Sequence, residues 1–382
     1  MSKAADLANL IGNIDLSSST NSFKTLDNLN NGGGDTNRNV IINGAMNVAQ
    51  RATSVTSLGA DGTSYNTVDR FQFTASGSAG RFTQTQDSSA PSGFSNSLKF
   101  DCTTADTSIA AGELLILSQL IEGQNLQHFA KGTSDAKPFA VSFYVKGNAS
   151  ATYVAELYDY DNNRTVSKTF SVTTDWTRVE LSMGADTTGA FDDDNAVSLY
   201  LNIWLHGGSN YTGGTLNTSW NAVTQANRAV GISSFFDSTD RTFFLTGVQV
   251  EAGDNATDFE HEPFEKTQYK CQRYYVRSGG TNYASICGAV GWANTTSSWI
   301  GKLQLPAPMR ANFTTTVTGT PRVQNGQAGY NASSISAGFV SVNSVPHSYG
   351  TIACSASSLT LYNALDMDAG ASAAVVEFDS EL

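Results

Sequence analysis

Two stretches of strict alternation organise this chain. In AVSFYVK the apolar Val141, Phe143 and Val145 alternate with Ser142, Tyr144 and Lys146. In VSLYLNIWLH, Val197, Leu199, Leu201, Ile203 and Leu205 alternate with Ser198, Tyr200, Asn202, Trp204 and His206. A period of two marks a strand that buries one face. TYVAELYDYDNNRTVSKTFSV reads as two strands joined by a turn at Asp161, Asn162 and Asn163, and DWTRVELSM and RTFFLTGVQVEAG supply more strands. Their spacing suits a sandwich rather than alternating βαβ units. AGELLILSQLIEG, residues 111–123, fits helix or strand by period, and the glycine near each end favours strand. Beyond Arg277 the short runs NFTTTVTG, NASSISAGFVSVNS and AAVVEFDSEL predict a second β domain.

A helical period occurs at the N-terminus, where Ala4, Leu7, Ile11 and Ile14 share one face. So short a helix is marginal alone, which makes Leu7, Ile11 and Ile14 docking residues. SSSTNSFKTLDNLNNGGGDTNRN behind it reads as a flexible or irregular linker. The expected architecture is all-β. A jelly-roll β-sandwich covers 37–265 and a second β-sandwich-like domain covers 266–382, with the short N-terminal helix and linker in 1–36.

At 382 residues and 40% hydrophobic content, the chain can bury proper cores. Acidic residues outnumber basic ones 34 to 22, and the formal charge of −12 repels phosphates, which argues against nucleic acid as a partner. Cysteines 102, 271, 287 and 354 form no CxxC pair and read as small buried hydrophobes. The N-terminus lacks the long apolar core of a signal peptide, and no window approaches the roughly 18 apolar residues of a membrane span. The expectation is synthesis in a cytoplasm, without Sec export or membrane insertion.

Motifs for chemistry are weak. HEPFE, with His261, Glu262 and Glu265, lacks the second His of HExxH, and Pro263 disfavours a helix interior there. DYDNNR begins like an EF-hand loop, yet Arg164 stands where Gly is required and Phe170 where the bidentate Glu belongs. The four histidines are far apart, neither GxSxG nor a P-loop occurs, and no carboxylate spacing selects a glycosidase pair. Catalysis is not indicated. A binding face is the better candidate: Tyr144, Tyr200, Asn202, Trp204 and His206 offer aromatic surfaces for sugar C–H patches and polar groups for hydroxyls. The competing reading packs these residues beneath a second sheet, a loop or a neighbouring subunit.

The segments NRNVIINGAMNVAQR, DRF, SNSLKF, FAVSFYVKG and LTGVQVEAGDNATDFEHEPFEKTQYKCQRYYVR, in this order, resemble a recurrent module of bacteriophage tail-fibre and virion structural proteins. That module is similar to jelly-roll carbohydrate-binding modules. LQLPAPMRANFTTTVTG and the terminal FDSEL resemble the C-terminal part of the same proteins. The resemblance implies a virion fibre or spike subunit, without enzymatic activity, that contacts a host surface glycan. It further implies a homotrimer bound to other virion proteins through residues 1–36. No cofactor is expected, although modules of this class often carry a structural calcium, for which Asp192, Asp193, Asp194 and Glu251 are the candidates. The alternative is a purely structural virion protein, such as a capsid decoration or tail adaptor. In either case Thr246 to Arg277 reads as a seam between domains, with Phe259 and Phe264 anchoring the chain and Tyr269, Cys271 and Tyr274 or Tyr275 turned inward.

Overall fold

The computed structural model describes residues 37–339 and 349–382. The helix expected around Leu7, Ile11 and Ile14 lies outside the described residues. Residues 39–382 form one compact unit built round two hydrophobic cores.

The first core lies between two antiparallel sheets. The six-stranded sheet runs Ser54–Leu58, Arg81–Asp87, Ser97–Thr104, Thr242–Ala252, Phe139–Gly147, Thr177–Ser182. Its seven-stranded partner runs Asn221–Ala222, Arg164–Val172, Ala151–Asp159, Val197–Gly207, Leu114–Glu122, Gln72–Ser76, Gly62–Tyr65. From Ser97 onward the chain passes repeatedly from one sheet to the other, which makes the sandwich a jelly roll. The alternation in the sequence names the inward residues: Val141, Phe143 and Val145 from one sheet meet Leu199, Leu201, Ile203 and Leu205 from the other. Residues 114–122 are a strand, as their flanking glycines predict.

One irregularity shapes the outer face of the six-stranded sheet. The Thr242–Ala252 strand bulges between Thr246 and Gln249, where Gly247 takes a φ of +63°. A Cβ at Gly247 would come within 2.8 Å of both the Phe94 and Tyr144 rings. Glycine is therefore required by conformation and by contact alike.

The second core gathers Trp299, Leu303, Met309, Met367, Val376 and Phe378. It lies in a part built from a three-stranded sheet (Tyr275–Gly279, Val375–Asp379, Thr314–Thr318) and a seven-stranded one containing Ser285–Thr295 and Ser298–Gln304. The all-β expectation holds for both parts.

Between the cores, Phe264–Gln272 is an α-helix with Pro263 at its N-cap, where the sequence suggests a seam between domains and no helix. Proline is excluded only from the helix interior, and at the first turn its missing N–H costs nothing. Phe264 and Tyr269 are exposed, not inward as expected, while Cys271, Tyr274 and Tyr275 are buried. A nine-residue helix on a surface buries one stripe only, and a period-two reading assigns the wrong residues to it.

Buried charge joins the two parts. The Arg70 guanidinium pairs with Glu381, donates to the Leu120 carbonyl at 2.7 Å and lies 3.5 Å from the Tyr274 ring centre. Arg273 makes a two-pronged contact with Glu122, at 2.9 and 2.8 Å, and Tyr274 donates to the same carboxylate. Burial pushes the Glu122 carboxyl up, but Arg273 and its hydrogen-bond donors outweigh this and hold it below the usual range.

Candidate functional site

The outer face of the seven-stranded sheet carries four of the five binding residues expected from sequence, on the Val197–Gly207 strand. The fifth, Tyr144, lies on the six-stranded sheet, where it packs against Phe94 at 5.3 Å between ring centres. The structure does not bring the five together.

Three of the four are enclosed, which corrects the expectation of an open face. Trp204 and His206 are 0% exposed and Asn202 is 3% exposed. Trp204 packs with Ile116, Val154 and Ala229, and its ring lies 5.3 Å from that of Tyr211. Tyr211 and Ala229 belong to the segment that follows the strand and returns across it.

That enclosed polar face is organised by Glu156. Its carboxylate accepts from Thr165 Oγ1 at 2.7 Å, Asn202 Nδ2 at 2.9 Å, Trp204 Nε1 at 2.9 Å, and Arg228 Nε and Nη2 at 2.8 Å each. Burial raises the Glu156 pKa, and the charge of Arg228 with these donors more than reverses it, so the group stays ionised. A buried carboxylate with this many donors is a satisfied structural node.

His206 takes part in a second chain. Its Nδ1 lies 2.8 Å from Ser234 Oγ, and its Nε2 lies 3.0 Å from Glu113 Oε2. The residue types are those of a hydrolytic triad. However, the ring is fully enclosed, and Ser234 Oγ also caps a 3-10 turn by accepting from the Phe236 N–H. The chain of bonds fastens the 230s segment to the sheet.

Beyond Asn202 the same face opens. Tyr200 stands directly opposite Tyr158 in the sheet register, with ring centres 5.5 Å apart. Tyr160, at the start of the turn, lies 5.9 Å from Tyr200 and 6.2 Å from Tyr158, and is 54% exposed. Arg228 bridges the open and closed regions, since its guanidinium carbon is 5.0 Å from the ring centres of both Tyr158 and Trp204. Burial pushes the Tyr158 and Tyr200 phenols above the ordinary range, so both remain hydrogen-bond donors at neutral pH.

Tyr158 and Tyr160 were not among the residues expected from sequence, although DYDNNR was read as a turn, which it is. The available signal was the alternation around Glu156: Ala155 and Leu157 point into the core, so Tyr158 shares the outer face. Only strand order places it beside Tyr200.

The other sequence candidates separate. His261 is exposed, with its ring 5.0 Å from Phe94 and 4.9 Å from Phe259, and Glu262 pairs with Lys266 and Lys270. Asp192, Asp193 and Asp194 are exposed, whereas Glu251 is buried and accepts from Gln249 and Thr257. Among the described residues no three His, Cys, Asp or Glu side chains converge in a metal-ligand arrangement.

No protein-family model matches this sequence, and no curated protein matches it. Among solved structures, the chain is similar to TmCBM61 in complex with β-1,4-galactotriose. Identity is 12%, coverage 56% of this chain and 99% of that one, and the TM-score 0.29. It is also similar to a family 11 carbohydrate-binding module from Clostridium thermocellum in complex with a β-1,3-1,4-mixed-linked tetrasaccharide, with 10% identity, 55% and 98% coverage and a TM-score of 0.27. A third likeness is to the enzymatically active domain of bacteriophage CBA120 tailspike protein 4, with 12% identity, 56% and 21% coverage and a TM-score of 0.27.

Proposed function

We propose that this chain is a non-catalytic subunit of a bacteriophage fibre or spike that contacts a glycan on the host surface. The observation that carries the glycan reading is the open tyrosine surface of Tyr158, Tyr160 and Tyr200. Three aromatic rings with phenol donors, beside a guanidinium fixed by a buried carboxylate, supply both stacking faces and hydrogen bonds for a sugar. The phage assignment rests on the ordered motifs from NRNVIINGAMNVAQR to QRYYVR.

A glycan array probed with the purified chain tests the reading. The double variant Tyr160→Ala/Tyr200→Ala is expected to lose about 1–3 kcal/mol of binding, the scale of truncated aromatic contacts, with its unfolding midpoint nearly unchanged. Binding that survives the double variant would remove the tyrosine surface from the site. The second reading is a purely structural virion protein, favoured by the closure of the chain's own segment over Asn202, Trp204 and His206. Virion-bound protein without affinity for any glycan would select it.

The expected homotrimer gains a candidate contact in the second part of the chain. Val290, Trp292, Leu361 and Tyr362 are all exposed, Trp292 sits beside Ala364 in the sheet, and the Tyr362 N–H donates to the Ala293 carbonyl. This exposed apolar group is the surface we propose for the trimer contact. Sedimentation of the full chain is expected to give a trimer at micromolar concentration, and Trp292→Glu a monomer or a trimer weakened at least about tenfold by burying an unpaired charge. A monomeric wild-type chain would sink the proposal.

A further inference from the structure

A cleft lies where the jelly roll meets the three-stranded sheet and shares no lining residue with the tyrosine surface. Its cavity volume is about 270 Å³, and from the jelly roll it is lined by Arg51, Tyr65 and Asn66. The other wall is the polar face of the three-stranded sheet. Alternation along Val375–Asp379 puts Val376 and Phe378 into the second core and leaves Glu377 and Asp379 facing the cleft. The register sets Tyr275 beside Asp379 and Thr316 beside Glu377.

These walls are held in place. The Arg51 guanidinium carbon sits 3.6 Å from the Tyr275 ring centre, and Arg51 Nη2 donates to Asp379 Oδ2 at 2.9 Å. Tyr275 donates its hydroxyl to Glu377 Oε1, and burial pushes that phenol well above the tyrosine range, so the donor persists at neutral pH. The lining carboxylates are matched, Asp379 by Arg51 of the lining and Glu377, more loosely at 3.9 Å, by Arg277 outside it. A carboxylate or phosphate ligand would face Glu377 and Asp379 without a spare cation. A hydroxyl-bearing neutral ligand would find carboxylate acceptors, an amide, a threonine hydroxyl and aromatic carbon within one concavity. At about 270 Å³ the cleft lies below the roughly 300–1,000 Å³ of pockets that enclose drug-sized ligands, a size that suits one ring.

We propose that the cleft between the jelly roll and the C-terminal part is a second ligand site that takes a single neutral pyranose unit. It shares a ligand class with the tyrosine surface and is otherwise independent of it.

The test uses the full chain and saturation-transfer NMR with methyl glucoside, methyl galactoside and methyl mannoside, the corresponding methyl uronides, and glycerol as a non-ring control. One neutral glycoside is expected to bind, and its uronide to bind about tenfold more weakly because of the facing carboxylates. Thr316 is exposed on an edge strand, so Thr316→Trp is expected to fold and to abolish that signal by filling the cleft. Asn66→Ala is expected to weaken it. Tyr160→Ala/Tyr200→Ala is expected to leave it intact, which separates failure here from failure of the tyrosine surface. No neutral glycoside binding better than glycerol, or a signal that survives Thr316→Trp, overturns the proposal.

Discussion

Trp204→Ala is expected to destabilise the jelly roll by about 3–5 kcal/mol, the cost of emptying a closed aromatic site. The indole is wholly enclosed among Ile116, Val154 and Ala229, so its removal leaves a cavity that neighbours on a sheet cannot collapse to fill. It also takes one donor from the buried Glu156 carboxylate, which remains charged and short of a partner. Denaturant unfolding followed by tyrosine fluorescence or circular dichroism measures the loss. Glycan binding at the tyrosine surface is expected to survive at temperatures where the variant is folded, because Tyr160 and Tyr200 do not depend on the indole for exposure. If stability were unchanged while glycan binding vanished, the covering segment would have to open in solution, and the enclosed face would be the ligand site after all.

Arg70→Ala is expected to cost a similar amount, about 3–5 kcal/mol, through a different mechanism. Arg70 is 1% exposed, and the side chain of its partner Glu381 is 6% exposed. Burial already pushes the Glu381 carboxyl up, against the pull of Arg70 and Arg51. Deleting Arg70 leaves Arg51, 3.4 Å away, as the cation nearest that carboxylate, and strips the face of Tyr274. The C-terminal part is then expected to come loose first, seen as faster proteolysis after Arg277 than within the jelly roll. Arg70→Met/Glu381→Leu is expected to recover most of the loss, because an apolar pair of similar shape needs no compensation for desolvated charge. A single variant that costs less than about 1 kcal/mol would show that the seam is held by surfaces other than this pair.

The two predictions probe what could and could not be read beforehand. Period-two alternation identified the inward faces at Val141, Phe143 and Val145 and at Leu199 to Leu205, because a strand offers each side chain only two directions and water decides between them. The turn at Asp161 to Asn163 was legible for an equally local reason, its residues favouring tight reversal of the chain. The all-β class followed from these local preferences.

The outward face is a different matter. Alternation says that Trp204 and Tyr200 point away from the core, but not that a segment some twenty residues on folds back over one and leaves the other open. Nor does local pattern pair Tyr158 with Tyr200, since that depends on which strands become neighbours and in what register. The cleft of Arg51, Tyr65 and Glu377 depends on residues more than three hundred positions apart. Arg70 beside Glu381 and Arg273 beside Glu122 are invisible in sequence for the same reason: a lone charge reads as solvated until the fold brings it a partner and removes the water. Short-range sterics and hydrophobic period made the strands legible, whereas the sites arise from long-range contacts that exist only after the sheets have closed.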